Sequence, residues 1–206
     1  MKKVIIPILF LISFAKIISQ PQYSIQIHGG LLYPNGADKG LATNLQLNYF
    51  LKESTYIYFN TGFLNWDKKY IFLSKQGKIY SSQSEDDHKL ISFYSGYQLI
   101  LKSVNTFKIF VNAEIGYNYV SYNSYKNFVE VIEEDEHITK YIFGFDPSSR
   151  KRVSKNLFGV GLGTGVKNMM TENFGFLIEL KMNKLFYSTN YSITYYTFSA
   201  GFVFGL

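Results

Sequence analysis

Apolar and polar residues alternate in twos along most of the chain. In the last dozen residues Tyr196, Phe198, Ala200, Phe202, Phe204 and Leu206 fall on one face. Thr197, Ser199, Gly201, Val203 and Gly205 fall on the other. That period belongs to a β-strand, whose side chains point alternately to opposite faces. Seven earlier stretches repeat it: Tyr23 to Tyr33, Leu41 to Leu51, Thr55 to Phe63, Leu90 to Leu101, Thr106 to Tyr119, Asn156 to Val166 and Phe174 to Met182. In each, one face carries mainly Leu, Ile, Val, Phe or Tyr. The opposite face carries mainly Asn, Gln, Ser, Gly or a charge. Eight strands are therefore predicted.

The connections between them sort by length. Those after the second, fourth and sixth strands are short (Lys52 to Ser54, Lys102 to Asn105, Lys167 to Asn173). Those after the first, third, fifth and seventh are generally longer, and two are very long: Trp66 to Lys89 and Val120 to Lys155. In the first insertion Tyr70 to Ser74 and Lys78 to Ser82 flank Lys75-Gln76-Gly77 and read as a hairpin. Its arms are too short to span a bilayer, so it belongs above the membrane. Glu85 to Lys89 reads as a solvated charge run. The second insertion carries acidic Glu130, Glu133, Glu134, Asp135 and Glu136, then basic Arg150, Lys151, Arg152 and Lys155, with FVEVI and HITKYIF as candidate hairpin arms. A moderate loop is expected from Asn183 to about Ser192.

Eight greasy strand faces need either a second covering layer or a lipid environment. A closed barrel in a bilayer leaves them to lipid, and such barrels have short periplasmic turns and longer external loops. The predicted fold is all-β: an eight-stranded antiparallel up-and-down transmembrane β-barrel. A soluble secreted β-barrel is the alternative, with the aromatic face as its core.

Composition fits this pattern. Tyr (18) and Phe (19) are abundant in 206 residues, and the mean hydropathy of -0.04 is not that of a helical membrane protein. The outward Tyr33, Tyr49, Tyr97, Tyr117, Tyr119 and Tyr196 are expected to form two interfacial girdles. Cysteine is absent, which excludes disulfides and thiolate metal sites. Residues 1–19 read as a secretory signal, with Lys2-Lys3 before the apolar run Val4 to Ala15 and Ser19 as the candidate last residue. Residues 20–206 then form the barrel domain. Without Lys2, Lys3 and Lys16, 18 of the 21 basic side chains face 15 acidic ones. That balance gives no reason to expect nucleic acid as a partner.

Inside the barrel, the phase places His28, Gln46, Asn60, Gln98, Lys108, Glu114, Glu179 and Lys181 in the lumen. Buried charges must be paired, and an eight-stranded barrel has room for side chains but not for an open pore. A polar network plugging the lumen is expected. The glycine ladder Gly159, Gly161, Gly163 and Gly165 does not fit a dinucleotide motif, because Thr164 and Val166 stand where glycine is needed. Inner-face glycines instead make room for large side chains across a narrow lumen. His88 beside Asp86 and Asp87 is the one arrangement like a catalytic pair. Three scattered histidines make no metal cluster, and the acidic run lacks calcium-loop spacing, so no cofactor is expected.

The terminal pattern Ser199-x-Gly201-x-x-Phe204-x-Leu206 resembles the recognition signal of outer-membrane β-barrels. Together with the signal peptide and eight alternating strands, it makes the whole mature chain similar to small bacterial outer-membrane barrels. Those often end in Phe, where this chain has Leu206. The resemblance implies residence in the outer membrane, contact with its lipid bilayer, and recognition of the last strand by the barrel-assembly machinery. The long loops then suit an extracellular protein, glycan or lipopolysaccharide. Some similar barrels modify lipid A with His, Ser and a carboxylate; no late-strand His-x-Ser is present here. The reading is a non-enzymatic structural or surface-interaction barrel, with a lipid-modifying enzyme and a narrow porin as alternatives.

Overall fold

The computed structural model describes residues 23–206 apart from 53, 68, 76–77, 136–137 and 189–190. It gives the backbone alone for 52, 69–75, 78–84, 127–135, 138–145, 187–188 and 191. The expected secretory signal and His137 lie outside the described residues.

Among the described residues nine strands follow one another: β1 (Tyr23–Pro34), β2 (Gly40–Lys52), β3 (Thr55–Trp66), β4 (Lys69–Lys75), β5 (Lys78–Val104), β6 (Phe107–Asp135), β7 (Ile138–Met169), β8 (Phe174–Ser188) and β9 (Tyr191–Gly205). Eight of them form an antiparallel ring, and β4 stands outside it as a hairpin arm on β5. The ring closes between β3 and β5, and between β1 and β9, where Ser24 to Pro34 run opposite Gly205 to Tyr195. Closure leaves the ring without a free edge.

The alternation read from the sequence is the alternation of burial. Leu45, Phe59, Phe93, Ile115, Leu162, Leu180 and Phe202 are exposed on the outside, while Gln46, Asn60, Ser92, Glu114 and Lys181 are buried within. Exposed apolar side chains encircle the ring, far beyond the patches a water-soluble monomer shows. Aromatic pairs mark both ends: Tyr23 lies 5.4 Å from Tyr49 near the short turns, and Tyr33 pairs with Tyr196 at the opposite end.

The hairpins expected in the two long insertions are present, but they continue the ring strands instead of standing apart from them. β5, β6 and β7 run 27, 29 and 32 residues without interruption, against roughly 9–11 for a membrane crossing. Beyond the ring they separate into two hairpins, β4–β5 and β6–β7. β3 also continues past Phe63 to Trp66, and the expected loop from Asn183 to Ser192 is mostly strand. Each correction has the same cause. A strand continues wherever its neighbour continues, because the ladder satisfies backbone groups whatever the polarity of the side chains. A polar composition therefore marks where the wall leaves the lipid, not where the strand stops. One interruption of register falls in β7, where Lys126 pairs with Asp146 but Ser124 pairs with Lys151. Pro147 sits in the surplus, and Asp146 Oδ1 accepts from Ser148 N and Oγ.

Candidate functional site

The lumen is stratified. At the end where β5–β7 rise, Leu32, Leu64, Trp66, Leu90, Leu157 and Tyr195 belong to one buried apolar cluster. Below it lies a charged core. Lys181 Nζ is 3.0 Å from Glu114 Oε2 and 3.7 Å from Glu179 Oε2. The Tyr58 hydroxyl donates to Glu114 Oε2 at 2.9 Å, and Asn112 Nδ2 donates to Glu179 Oε1 at 2.5 Å. One ammonium thus bridges two carboxylates, each held by a further donor. A cavity of about 10 Å³ lined by Asn60, Glu114, Glu179 and Lys181 remains beside them; that is about one water probe.

The structure brings four of the eight expected lumen residues together: Glu114, Glu179, Lys181 and His28. His28 Nδ1 lies 3.1 Å from Ser199 Oγ and 3.9 Å from Glu179 Oε2. Asn60 lines the small cavity. Gln46 is buried but donates to Asn48 at 2.7 Å, away from the ion pair, and Gln98 is buried without a bond to it. Lys108 is a correction: it points inward, but at the end with the short turns. There it stands opposite Lys167 rather than in the charged core. Phase places a residue on the inner face without fixing its height. Tyr58 and the apolar cluster went unselected because aromatic and aliphatic residues at inward positions look like errors of phase. Their signal is the inward phase of Leu32, Leu64 and Leu90 itself.

The β7 glycines face this core. A Cβ at Gly161 would stand 2.7 Å from Glu114 Cγ, and one at Gly165 would stand 2.5 Å from Phe110 Cζ. These positions clear space for the inward side chains of β6 and β8.

The second centre lies at the mouth above the apolar cluster. His88, expected in a solvated charge run, is 2% exposed. It keeps the inward phase of Leu90 and Ser92, and the register with β3 runs unbroken from Leu64 opposite Leu90 to Trp66 opposite His88. A bulge lies on the β6 side: Asp86 pairs with Asn123 and Lys89 with Ser121, so Asp87 and His88 together oppose Tyr122. Asp87 takes φ 49°, a left-handed value that Asp tolerates better than most residues. His88 stacks between Trp66 (4.7 Å between ring centroids) and Tyr122 (5.0 Å). Its Nδ1 lies 3.0 Å from the Asp67 carbonyl and its Nε2 3.3 Å from Glu85 Oε2. Over the stack opens a cavity of about 260 Å³, walled by Leu157 and Ile193 and edged by Glu85 and Lys155. Lys155 Nζ stands 5.6 Å from the Tyr122 ring centre.

Outside the bulge a polar lattice ties β5, β6 and β7. Arg152 donates to Asp87 Oδ2 (2.8 Å), Ser121 Oγ (2.8 Å) and Asn123 Oδ1 (3.2 Å). Asn123 and Tyr125 donate to the two oxygens of Asp86, each at 2.9 Å. Partial burial alone would raise the Asp87 carboxyl, but Arg152 and Lys89 outweigh it and hold the group below its ordinary 3.8. A depressed folded value stabilises the wall above the unfolded value, and that contribution is lost as the pH falls through the folded one. Asp87 is half exposed, so the effect is small. The expected result is an Asp87 carboxyl resonance that titrates below 3.8 in the native protein and moves up in Arg152→Gln.

Neither described histidine forms a catalytic relay. In a triad the hydroxyl and the acid engage different ring nitrogens of the base. At His28 both Ser199 and Glu179 approach Nδ1, deep in the lumen. At His88 the ring nitrogens face a carbonyl and a carboxylate, and neither is hydrogen-bonded to a hydroxyl.

No family model matches the sequence, and no curated protein matches it. Solved structures do resemble the fold. Neisserial surface protein A is 16% identical over 88% of this chain and 96% of that one, with a TM-score of 0.55. A major outer membrane protein from Thermus thermophilus is 10% identical over 89% and 99%, with a TM-score of 0.54. With its closed ring and apolar exterior, the protein is an eight-stranded antiparallel up-and-down β-barrel with the fold of the outer-membrane barrels it resembles.

Proposed function

We propose that the protein resides in the outer membrane and acts as a surface-interaction barrel, its contacts made where β5, β6 and β7 stand beyond the bilayer. The observation that carries this reading is the length of those strands, more than twice a membrane crossing, joined at the mouth by the Arg152 lattice and the His88 stack. A partner on that side is an extracellular protein, glycan or lipopolysaccharide. Arg150 and Arg152 on the outer face of β7, with Lys151 and Lys155 on the inner one, bring positive charge to this wall that suits an anionic partner. The apolar cluster and the charged core are stacked along the axis and plug the lumen, which argues against a narrow porin. The buried position of His28 and the engagement of both His88 ring nitrogens argue against a lipid-modifying enzyme. Ser199, Gly201, Phe204 and Leu206 serve assembly before closure: β9 offers its edge to the assembly machinery until β1 takes that edge.

Shortening both hairpins to the rim tests the reading. Cells carrying the shortened barrel are expected to lose adhesion to glycan- or protein-coated surfaces, while the barrel keeps its heat-modifiable gel mobility. Undiminished adhesion would contradict the role given to the wall. In planar bilayers the intact protein is expected to give no steady ion conductance; stepwise opening at modest voltage would favour the porin instead.

A further inference from the structure

The end of the barrel with the short turns holds two lysines that oppose each other. Lys108 on β6 and Lys167 on β7 are direct register partners on the inner face. Like charges directly opposite across a ladder are destabilising. Lys167 is 3% exposed, and its Nζ lies 5.2 Å from the Tyr56 ring centre. Among the described residues neither lysine has a carboxylate within 4 Å, since Glu179 is held by Asn112 and Lys181. A buried charge needs a partner, and Lys167, with the half-buried Lys108 opposite it, has this need. Both line a cavity of about 720 Å³ that opens at this end. Ser24, Tyr56, Thr106 and Thr171 add hydroxyl groups to its wall, and Glu172 is the one acidic side chain on it.

We propose that this vestibule is a binding site for a soluble oxyanion, a phosphorylated or carboxylated solute bridged by Lys108 and Lys167. Two ammonium groups meet the charge of an oxyanion and the hydroxyls donate to its remaining oxygens. The volume exceeds that of bare phosphate, so the anionic group belongs to a larger molecule whose remainder fills the cavity. The site faces the periplasm, opposite the surface wall, and does not depend on the role proposed for that wall.

The probe is inorganic phosphate, added to the folded full-length barrel in neutral detergent at constant ionic strength with chloride as reference. Unfolding temperature is read from the heat-modifiable gel shift. Phosphate is expected to raise it along a saturating curve that chloride does not reproduce. Lys167→Gln, and more weakly Lys108→Gln, should abolish the phosphate response. In chloride Lys167→Gln should be at least as stable as the parent, because the like-charge pair is gone. Equal effects of phosphate and chloride on the parent would overturn the site, as would a full phosphate response in Lys167→Gln. A third arm compares phosphatidylglycerol with phosphatidylcholine bilayers. Stabilisation by phosphatidylglycerol without any by free phosphate would assign the lysines to lipid headgroups and overturn the soluble ligand.

Discussion

Lys181→Met is expected to destabilise the barrel by about 3–5 kcal/mol, the cost of removing one partner from a buried ion pair. The substitution leaves Glu114 and Glu179 buried with no cation between them, while the aliphatic bulk is kept. The loss therefore reports charge rather than packing. Glu114 would retain the Tyr58 hydroxyl and Glu179 the Asn112 amide, which satisfy hydrogen bonds but not charge. The triple variant Lys181→Met, Glu114→Gln, Glu179→Gln is expected to recover most of the stability, since a neutral core of similar volume removes the penalty. The check is the urea midpoint for loss of heat-modifiable mobility in the three proteins. Equal stability of Lys181→Met and the parent would mean that the two carboxylates do not depend on this cation.

Gly161→Val is expected to block closure of the ring or to leave it markedly less stable, by about 1–3 kcal/mol or more. The Cβ alone would sit 2.7 Å from Glu114 Cγ and crowd the Asn183 side chain, before either methyl group is placed. Neighbouring strands cannot part to make room, because the register on both sides of β7 is continuous through this level. Leu162→Val, one residue along and facing lipid, is the control and should fold normally. Adding Asn183→Ala to Gly161→Val should restore part of the folded band. Normal folding of Gly161→Val would show that the lumen holds more free space than the geometry gives it.

These two positions differ in how legible they were. Period-two alternation put Glu114, Glu179 and Lys181 on the inner face, and the need to pair buried charge joined them before any coordinates. The glycines on β7 were readable as clearance for the same reason: an inner face in a narrow barrel has to alternate bulk with its absence. Height along the axis was not readable. Lys108 has the inward phase of Glu114 but stands three inward positions nearer the short turns, beside Lys167 instead of Lys181. The mouth was missed for a different reason. Trp66, His88 and Tyr122 come from three strands; His88 has the inward phase of Leu90, but its charged neighbours from Glu85 to Lys89 make the stretch read as an ordinary charge run. Where strands continue into water the alternation has no apolar face to report it. Hence the hairpin arms read as separate from the ring strands, although the backbone ladder goes on.

The central claim is that this chain is a closed barrel whose apolar face meets lipid. Membrane fractionation of the mature protein, run with boiled and unboiled gel samples, tests it most directly. Recovery in the outer-membrane fraction, with an unboiled form that migrates faster and shifts on heating, is the expected result. A product soluble without detergent and unchanged in mobility would contradict it, and Leu162, Phe202 and their exposed neighbours would then have to be covered by protein instead of lipid.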